Sequence, residues 1–224
     1  MERVIHIIPT PIGNLEDITL RALRLLKDSD IILAEDTRVT GKLLNHYSIK
    51  TKMMSYHAFN EHQKLEKIMF KIKSGLKVSL VSDAGTPSIS DPGFLLIREC
   101  IKDHIKINCL PGPTACITAL VQSGLPSNKF HFEGFLPVKG NRKKLLLNIV
   151  ENRYSPTIIY ESKYRILKTL KELSIMCPNR DIVVLKELTK LNETIYRGNV
   201  HEVLNIISES IIKGEFVIVL NGNK

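Results

Sequence analysis

Short runs of aliphatic and β-branched residues alternate with stretches whose apolar residues recur at helical spacing, almost from one end of the chain to the other. This is the pattern of an α/β protein with crossover connections. Residues 4–8 read as a first buried strand, which ends at Pro9-Thr10-Pro11-Ile12-Gly13-Asn14, where two prolines and a glycine can continue neither kind of element. Asp17 is placed to cap a helix carrying Ile18, Leu20, Leu23, Leu25 and Leu26. Residues 30–34 form a second strand that delivers Glu35-Asp36-Thr37-Arg38 at its carboxyl end, and a helix follows through Lys42-Leu43-Leu44. A helix over 61–74 stops at Gly75, and 77–81 is a third strand from which the loop 82–93 hangs. Phe94-Leu95-Leu96-Ile97 lies on the next helix, 105–110 is a strand, and Pro111-Gly112-Pro113-Thr114-Ala115 turns into a helix with Ile117, Leu120 and Val121.

The second half repeats the theme, with strands at 157–160, 181–185 and 215–220 separated by helical patterns. Between the halves, Gly124-Leu125-Pro126-Ser127-Asn128-Lys129 has the strongest linker composition. The simplest architecture is two α/β domains, 1–112 and 113–224, with a cleft between them.

Composition narrows the class. With 43% hydrophobic and 25% charged residues in 224, the chain resembles ordinary globular proteins and not disordered ones. No stretch approaches the ~20 apolar residues that span a bilayer. The N-terminal apolar run is short and lacks a small-residue cleavage site, so a cytoplasmic location is expected. Cys100, Cys109, Cys116 and Cys177 are widely spaced without C-x-x-C pairing, which argues for buried free thiols and against a metal or redox centre. The formal charge of +9 favours an anionic partner, nucleic acid being the commonest, although a Lys-, Ile- and Asn-rich genome would produce the same excess.

Three loops rich in Gly, Pro and small polar residues, 9–14, 82–93 and 111–115, follow three predicted strands of the first half. In open parallel sheets such loops line one crevice at the carboxyl ends of the strands. Tight turns use the same residues for purely structural reasons. Neither G-x-x-x-x-G-K-[ST] nor a G-x-G-x-x-G after a strand occurs, so a bound cofactor is not gripped through a pyrophosphate.

Six segments occur in a telling order: 9–19, Ala34-Glu35-Asp36-Thr37-Arg38, Tyr56-His57-Ala58-Phe59-Asn60-Glu61, the loop 82–93, 110–115 and Tyr160-Glu161-Ser162. Glu187-Leu188-Thr189-Lys190 with Glu193 also fits. Together they resemble the small-subunit ribosomal RNA methyltransferase I family, 2′-O-ribose cytidine methyltransferases of the tetrapyrrole methylase superfamily. The resemblance covers essentially the whole chain. It implies S-adenosyl-L-methionine as methyl donor, a two-domain α/β fold of the tetrapyrrole-methylase type with the cofactor in the interdomain cleft, and a homodimer. Its implied target is the ribose of a decoding-centre cytidine in 16S RNA of the small ribosomal subunit. Longer relatives carry a further C-terminal helical segment beyond the point where this sequence ends.

By the same analogy, Ile12, Thr86, Pro87, Ile89, Thr114 and Ala115 are expected to touch the cofactor. Asp83 and Gly85 suit its amino-acid portion or a close backbone approach, and Tyr160 and Leu188 are candidates for the wall contributed by the second domain. Core packing is the alternative for Ile12, Ile89 and Leu188. Methyl transfer to a weakly nucleophilic ribose hydroxyl gains from a general base, for which Glu35 and Asp36 are the candidates, with Arg38 orienting one of them or gripping a phosphate. Alternatively, Asp36 only caps the following helix while Glu35 pairs with Arg38. His57 is read as a proton shuttle or substrate contact, since His57 and His62 lack a third metal ligand at sensible spacing. Lys139, Arg142, Lys143 and Lys144 form a basic cluster suited to RNA, extended by Arg153, Lys163 and Arg165, although a charge run is most often a solvated face. Lys186 and Lys190 are read as solvated. A precorrin-type C-methyltransferase and a non-catalytic RNA-binding assembly factor are the competing readings.

Overall fold

The computed structural model describes residues 3–223; Met1 and Glu2 of the N-terminal stretch, and the final Lys224, lie outside the described residues. The chain divides into two compact units, one running to Thr114 and the other beginning at Ala115.

In the first unit, β1 (Val4–Ile7), β2 (Ile31–Ala34), β3 (Met53–Ser55), β4 (Val78–Val81) and β5 (Lys106–Cys109) form a parallel sheet in the order β3-β2-β4-β1-β5. The inner strands β1, β2 and β4 are largely aliphatic, with His6 and Ser79 as buried polar exceptions, because both faces are covered. Successive side chains point to opposite faces, so Ile5, Ile7, Leu33 and Leu80 join one apolar cluster while Ile8, Ile32, Ala34 and Val81 join the other. The first cluster takes Ile68, Met69 and Ile72 from α3 (Glu61–Lys73) and Leu96 and Cys100 from α4 (Phe94–Lys102). The second takes Leu25 and Leu26 from α1 (Leu20–Asp28) and Leu43 and Leu44 from α2 (Thr37–His46). Because every strand runs the same way, the loops following them all leave from one edge of the sheet.

Two local expectations are corrected. Asp17 lies in a 3₁₀ turn, Leu15–Asp17, and α1 is capped by Thr19, whose hydroxyl accepts the Ala22 N–H at 3.0 Å. The strand β3 carried no predictive pattern. Among the thiols, Cys100, Cys116 and Cys177 are buried, but Cys109 is exposed.

The second unit departs from the parallel expectation. Its sheet has the order β6-β7-β10-β8-β9, built from β6 (His131–Phe135), β7 (Thr157–Ser162), β8 (Asp181–Lys186), β9 (Thr194–Asn199) and β10 (Glu215–Leu220). β6 pairs with β7 in parallel, with an irregularity at Gly134, whereas β7–β10, β10–β8 and β8–β9 are antiparallel. Its core joins Ile159, Val184 and Ile218 of the sheet to Leu146, Leu170 and Val203 from α6 (Arg142–Asn152), α7 (Ile166–Met176) and α8 (Val200–Ser208). The helix α5 (Ala115–Ser123) packs on β10, so residues 124–129 join α5 to β6 inside this unit. No helix among the described residues is long and apolar enough to cross a membrane.

Candidate active site

Three of the loops leaving the carboxyl edge of the first sheet are bonded to one another. Thr10 and Gly85 exchange backbone hydrogen bonds, both 2.9 Å, and the buried Thr10 hydroxyl donates to the Ser82 carbonyl at 3.0 Å. Ile12 is buried beside Gly85, whose φ of +85° suits a glycine. The hydroxyls of Thr86 and Thr114 lie 2.7 Å apart, and Thr86 also donates to the Pro113 carbonyl at 3.2 Å. The structure thus brings Ile12, Asp83, Gly85, Thr86, Pro87 and Thr114 into one neighbourhood, with Pro87 buried and Ile89 exposed on the same loop.

The loop 82–93 is held in an unusual backbone path. Ser88 and Ser90 have φ of 71° and 66°, and Gly93 lies at 141°. A Cβ on Gly93 would sit 2.5 Å from Ser88 Oγ and 2.9 Å from Leu80 Cδ2. Ser88 Oγ is shielded from solvent and has no hydrogen-bond partner. Backbone strain of this kind concentrates at ligand clamps.

Four carboxyls meet where β2 and β4 end. The Asp36 N–H donates to Asp83 Oδ1 at 2.9 Å, and the Asp83 N–H lies 3.4 Å from Glu35 Oε2. Asp91, within the loop 82–93, is bonded to the Ser82 side chain and faces Glu35 and Asp83. Burial, then the Glu35 and Asp83 charges, push the Asp91 carboxyl up to about 7. Burial also raises Glu35 and Asp83 above the ordinary carboxylate range. Asp36 goes the other way. Its carboxylate caps α2 through the Arg38 N–H at 2.8 Å and clasps the Arg38 guanidinium at 2.6–3.2 Å, which holds it down at about 2.

Arg38 therefore pairs with Asp36, and of these two adjacent carboxyls it is Glu35 whose proton affinity is raised. His57 stands close enough to Glu35 to favour its ionised form. Asn60 fixes His57, accepting its backbone N–H at 3.0 Å and meeting its Nε2 at 2.8 Å, while Tyr56 is wholly buried beneath. Among the described residues no group of three or more His, Cys, Asp or Glu could hold a metal ion.

The remaining expected positions lie in the second unit. Ala115 opens α5. Tyr160 stands on β7, its ring edge-on to Phe132 and Phe135 at 5.0 and 5.8 Å. Leu188 is buried between Glu187 and Thr189, whose φ values are 53° and 62°.

The basic cluster separates into two kinds of residue. Lys139, Lys143 and Lys144 are exposed, whereas Arg142 is buried and bonded to Glu172 and Thr169. Arg142 is therefore not a phosphate contact. Its spacing to Leu146, Ile149 and Val150 places it on the inward stripe of α6, a signal that periodicity carries. Arg153 pairs with Glu133 and Arg165 with Glu161, so neither extends the cluster as a free cation. Lys190 pairs with Glu187 and Glu215, and the Lys186 ammonium donates to the Ile211 carbonyl, so neither is merely solvated.

A family model described as tetrapyrrole (corrin/porphyrin) methylases matches residues 4–204. Ribosomal RNA small subunit methyltransferase I of Escherichia coli O157:H7 is 45% identical over 223 residues, covering 98% of this chain and 78% of that protein. The protein of the same name from Thermotoga maritima is 43% identical over 219 residues, covering 97% and 98%. Among solved structures, uroporphyrin-III-C-methyltransferase from Thermus thermophilus superposes with a TM-score of 0.69 at 17% identity, covering 97% of this chain and 94% of that one. The same kind of enzyme from that organism, complexed with S-adenyl homocysteine, gives 0.66 at 17% identity, covering 96% of each chain. The structural likeness carries the fold, and the sequence identity over nearly the full length carries the kinship: the chain belongs to the tetrapyrrole methylases and, within them, to the ribosomal RNA small subunit methyltransferase I family.

Proposed function

We propose that this chain transfers a methyl group from S-adenosyl-L-methionine to the 2′-hydroxyl of a decoding-centre cytidine in 16S ribosomal RNA, acting as a homodimer on the small ribosomal subunit in the cytoplasm. One observation carries the reading at the level of chemistry. Glu35, Asp83 and Asp91 crowd together beside the interlocked loops, each raised above its ordinary range. Crowded carboxyls are a liability that a cationic ligand relieves. The donor bears a sulfonium and an ammonium against one carboxylate, so its net positive charge fits this set, and the buried Ser88 hydroxyl, unpartnered among the described residues, is a further group a ligand would satisfy.

When bound, the donor supplies a methyl group on a positively charged sulfur. The loops supply position. Ile12, Pro87 and Ile89, with the mutually bonded Thr86 and Thr114, would form one wall against it. Glu35 acts as proton acceptor for the ribose hydroxyl, its raised proton affinity bringing it nearer neutrality, where general bases work best. Arg38, its side chain 88% exposed and its charge oriented by Asp36, is available to an RNA phosphate, as are Lys139, Lys143 and Lys144. Alignment of the reacting atoms can contribute roughly 7–11 kcal/mol and a base about 10²–10⁴-fold.

The decisive experiment is incubation of the chain and labelled S-adenosyl-L-methionine with undermethylated small subunits, or in parallel with a uroporphyrinogen-type macrocycle. Label at the 2′-oxygen of one decoding-centre cytidine, located by nuclease digestion and mass spectrometry, is the expected result. Label in the macrocycle alone would overturn the reading.

A further inference from the structure

The second unit contains a buried ionic network that the chemistry above does not use. The Glu161 carboxylate is fully buried and accepts the Ser162 N–H at 2.9 Å, the Thr169 hydroxyl at 2.7 Å and Arg165 Nε at 2.8 Å. Arg142, its side chain 7% exposed, reaches the Thr169 hydroxyl at 2.7 Å and Glu172 at 2.9 Å, with Glu161 3.9 Å away. The two guanidiniums continue outward. Arg165 donates to the Leu136 carbonyl at 2.9 Å and Arg142 to the Pro137 carbonyl at 3.5 Å. Burying such charges costs several kcal/mol per ion, and apolar residues of similar size would often stabilise as well. What the ions add is direction, since they pin the backbone of 136–137 to the start of α7.

The pinned segments are neighbours. β6 and β7 are paired in parallel, so the turn after Phe135 and the turn after Ser162 leave side by side. The segments 136–144 and 162–165 contain no acidic residue but contribute Lys139, Lys143, Lys144 and Lys163, none of them in an ion pair among the described residues. Aromatic surface is exposed with them: Phe135 is 54% and Tyr164 85% accessible, and the Lys163 ammonium lies 5.0 Å from the Tyr164 ring centre. Lysines alone would serve to grip phosphates. Exposed rings beside them have a use only where flat, unpaired bases can stack, and a duplex hides those faces.

We infer that these two turns form a platform for unpaired RNA, on which Phe135 and Tyr164 stack bases, the four lysines hold phosphates, and the Arg142–Glu161–Thr169–Arg165 network positions both turns. The inference rests on the reading of the chain as an RNA-modifying enzyme and adds the form of RNA it grips. The network residues are positioning residues, touching no RNA themselves.

The test uses the full chain, a labelled oligoadenylate and a duplex of equal length, with anisotropy read at several salt concentrations. The single strand should bind more tightly than the duplex. Tyr164→Ala should weaken single-strand binding about tenfold and leave its salt slope unchanged, while Tyr164→Phe keeps the parental affinity. Lys143→Glu with Lys144→Glu should flatten the slope by about 1.4, or about 0.7 per lost phosphate contact. For the network, Thr169→Val should weaken RNA binding and Thr169→Ser restore it, with S-adenosylhomocysteine affinity by calorimetry unchanged throughout. Equal affinity for duplex and single strand, tighter binding to anionic vesicles than to RNA, an unaffected Tyr164→Ala, or a Thr169→Val that melts earlier yet binds RNA normally would each overturn the platform. Those outcomes are separable from the enzymatic reading: methylated subunits with failed oligonucleotide arms sink the platform alone, and intact RNA binding without methyl transfer sinks the activity alone.

Discussion

Asp91→Asn should stabilise the folded chain at alkaline pH and flatten the fall of its stability with rising pH. The half-buried Asp91 carboxyl is bonded to the Ser82 side chain and faces Glu35 and Asp83; burial, then those charges, hold it at about 7. In the unfolded chain an aspartate titrates near ~4. Between these values the folded chain retains a proton that the unfolded chain has released, so the unfolded state binds fewer protons and stability falls as pH rises. The penalty is absent below about pH 4, grows through the window and is complete above about pH 7. Full burial would make the gap worth roughly 4 kcal/mol, and solvent screening of a partly exposed group reduces it to about 1–2 kcal/mol. Most of the window lies above pH 5, so urea unfolding should show the advantage of the variant growing by about 1 kcal/mol between pH 5 and pH 8. Raised values at Glu35 and Asp83, set first by burial, act in the same direction. The same variant should bind S-adenosyl-L-methionine less tightly, because the charge that burdens the empty fold is one a cationic ligand rewards. An advantage that is equal at both pH values, or that shrinks at pH 8, would show that the three carboxyls do not repel one another and would remove the basis for the donor fit.

Three further outcomes follow from the same geometry. Arg142→Ala should cost about 1–3 kcal/mol in urea unfolding, because it removes the guanidinium that bonds Thr169 and Glu172 while the buried Glu161 keeps Arg165. Gly93→Ala, which forces a Cβ at φ of 141° to within 2.5 Å of Ser88 Oγ, should cost about 1–3 kcal/mol and weaken S-adenosylhomocysteine binding by calorimetry. Glu35→Gln should slow single-turnover methylation about 10²–10⁴-fold while the donor affinity stays within a small factor; an unchanged rate would remove Glu35 as the base.

How much of the fold was legible in the sequence depended on where each strand sits in its sheet. The strands β2, β4, β8 and β10 are covered by neighbours and helices, so they appear as largely apolar runs, Ser79 being the interior exception, that need little context to recognise. The unpredicted strands β3, β6 and β9 are all edges. Met53-Met54-Ser55 is too short to show a period, Gly134 interrupts β6 at its irregularity, and β9 leaves most of its length partly exposed. An edge strand is defined by the partner it finds, which local pattern does not record. The edge strand β5 was legible because Ile105 and Ile107 alternate with polar residues. Turn chemistry was equally readable where the backbone itself demanded it, as at Gly75 after α3, and less so where two polar residues competed, as Asp17 and Thr19 did for the cap of α1.

Charged side chains divide along the same line, between what the chain shows locally and what only folding brings together. Asp36 and Arg38 are two residues apart, and their clasp follows from a helix start. Asp91 acquires its character from Glu35, 56 residues earlier in sequence, and from the loop that folds it back on Ser82. Arg142 is the instructive case, because composition and periodicity disagreed about it. The run Arg142-Lys143-Lys144 has the composition of a solvated basic face, yet Arg142 is in step with Leu146, Ile149 and Val150 while the two lysines are not. A guanidinium on the apolar stripe of a helix requires a buried counter-charge, and the fully buried Glu161, among the aliphatic residues of β7, has the reciprocal need. Folding meets both needs: Arg165 reaches Glu161 at 2.8 Å, and Arg142 reaches Glu172 at 2.9 Å with Glu161 3.9 Å away. That pairing separates the exposed Lys143 and Lys144 from the arginine buried beside them.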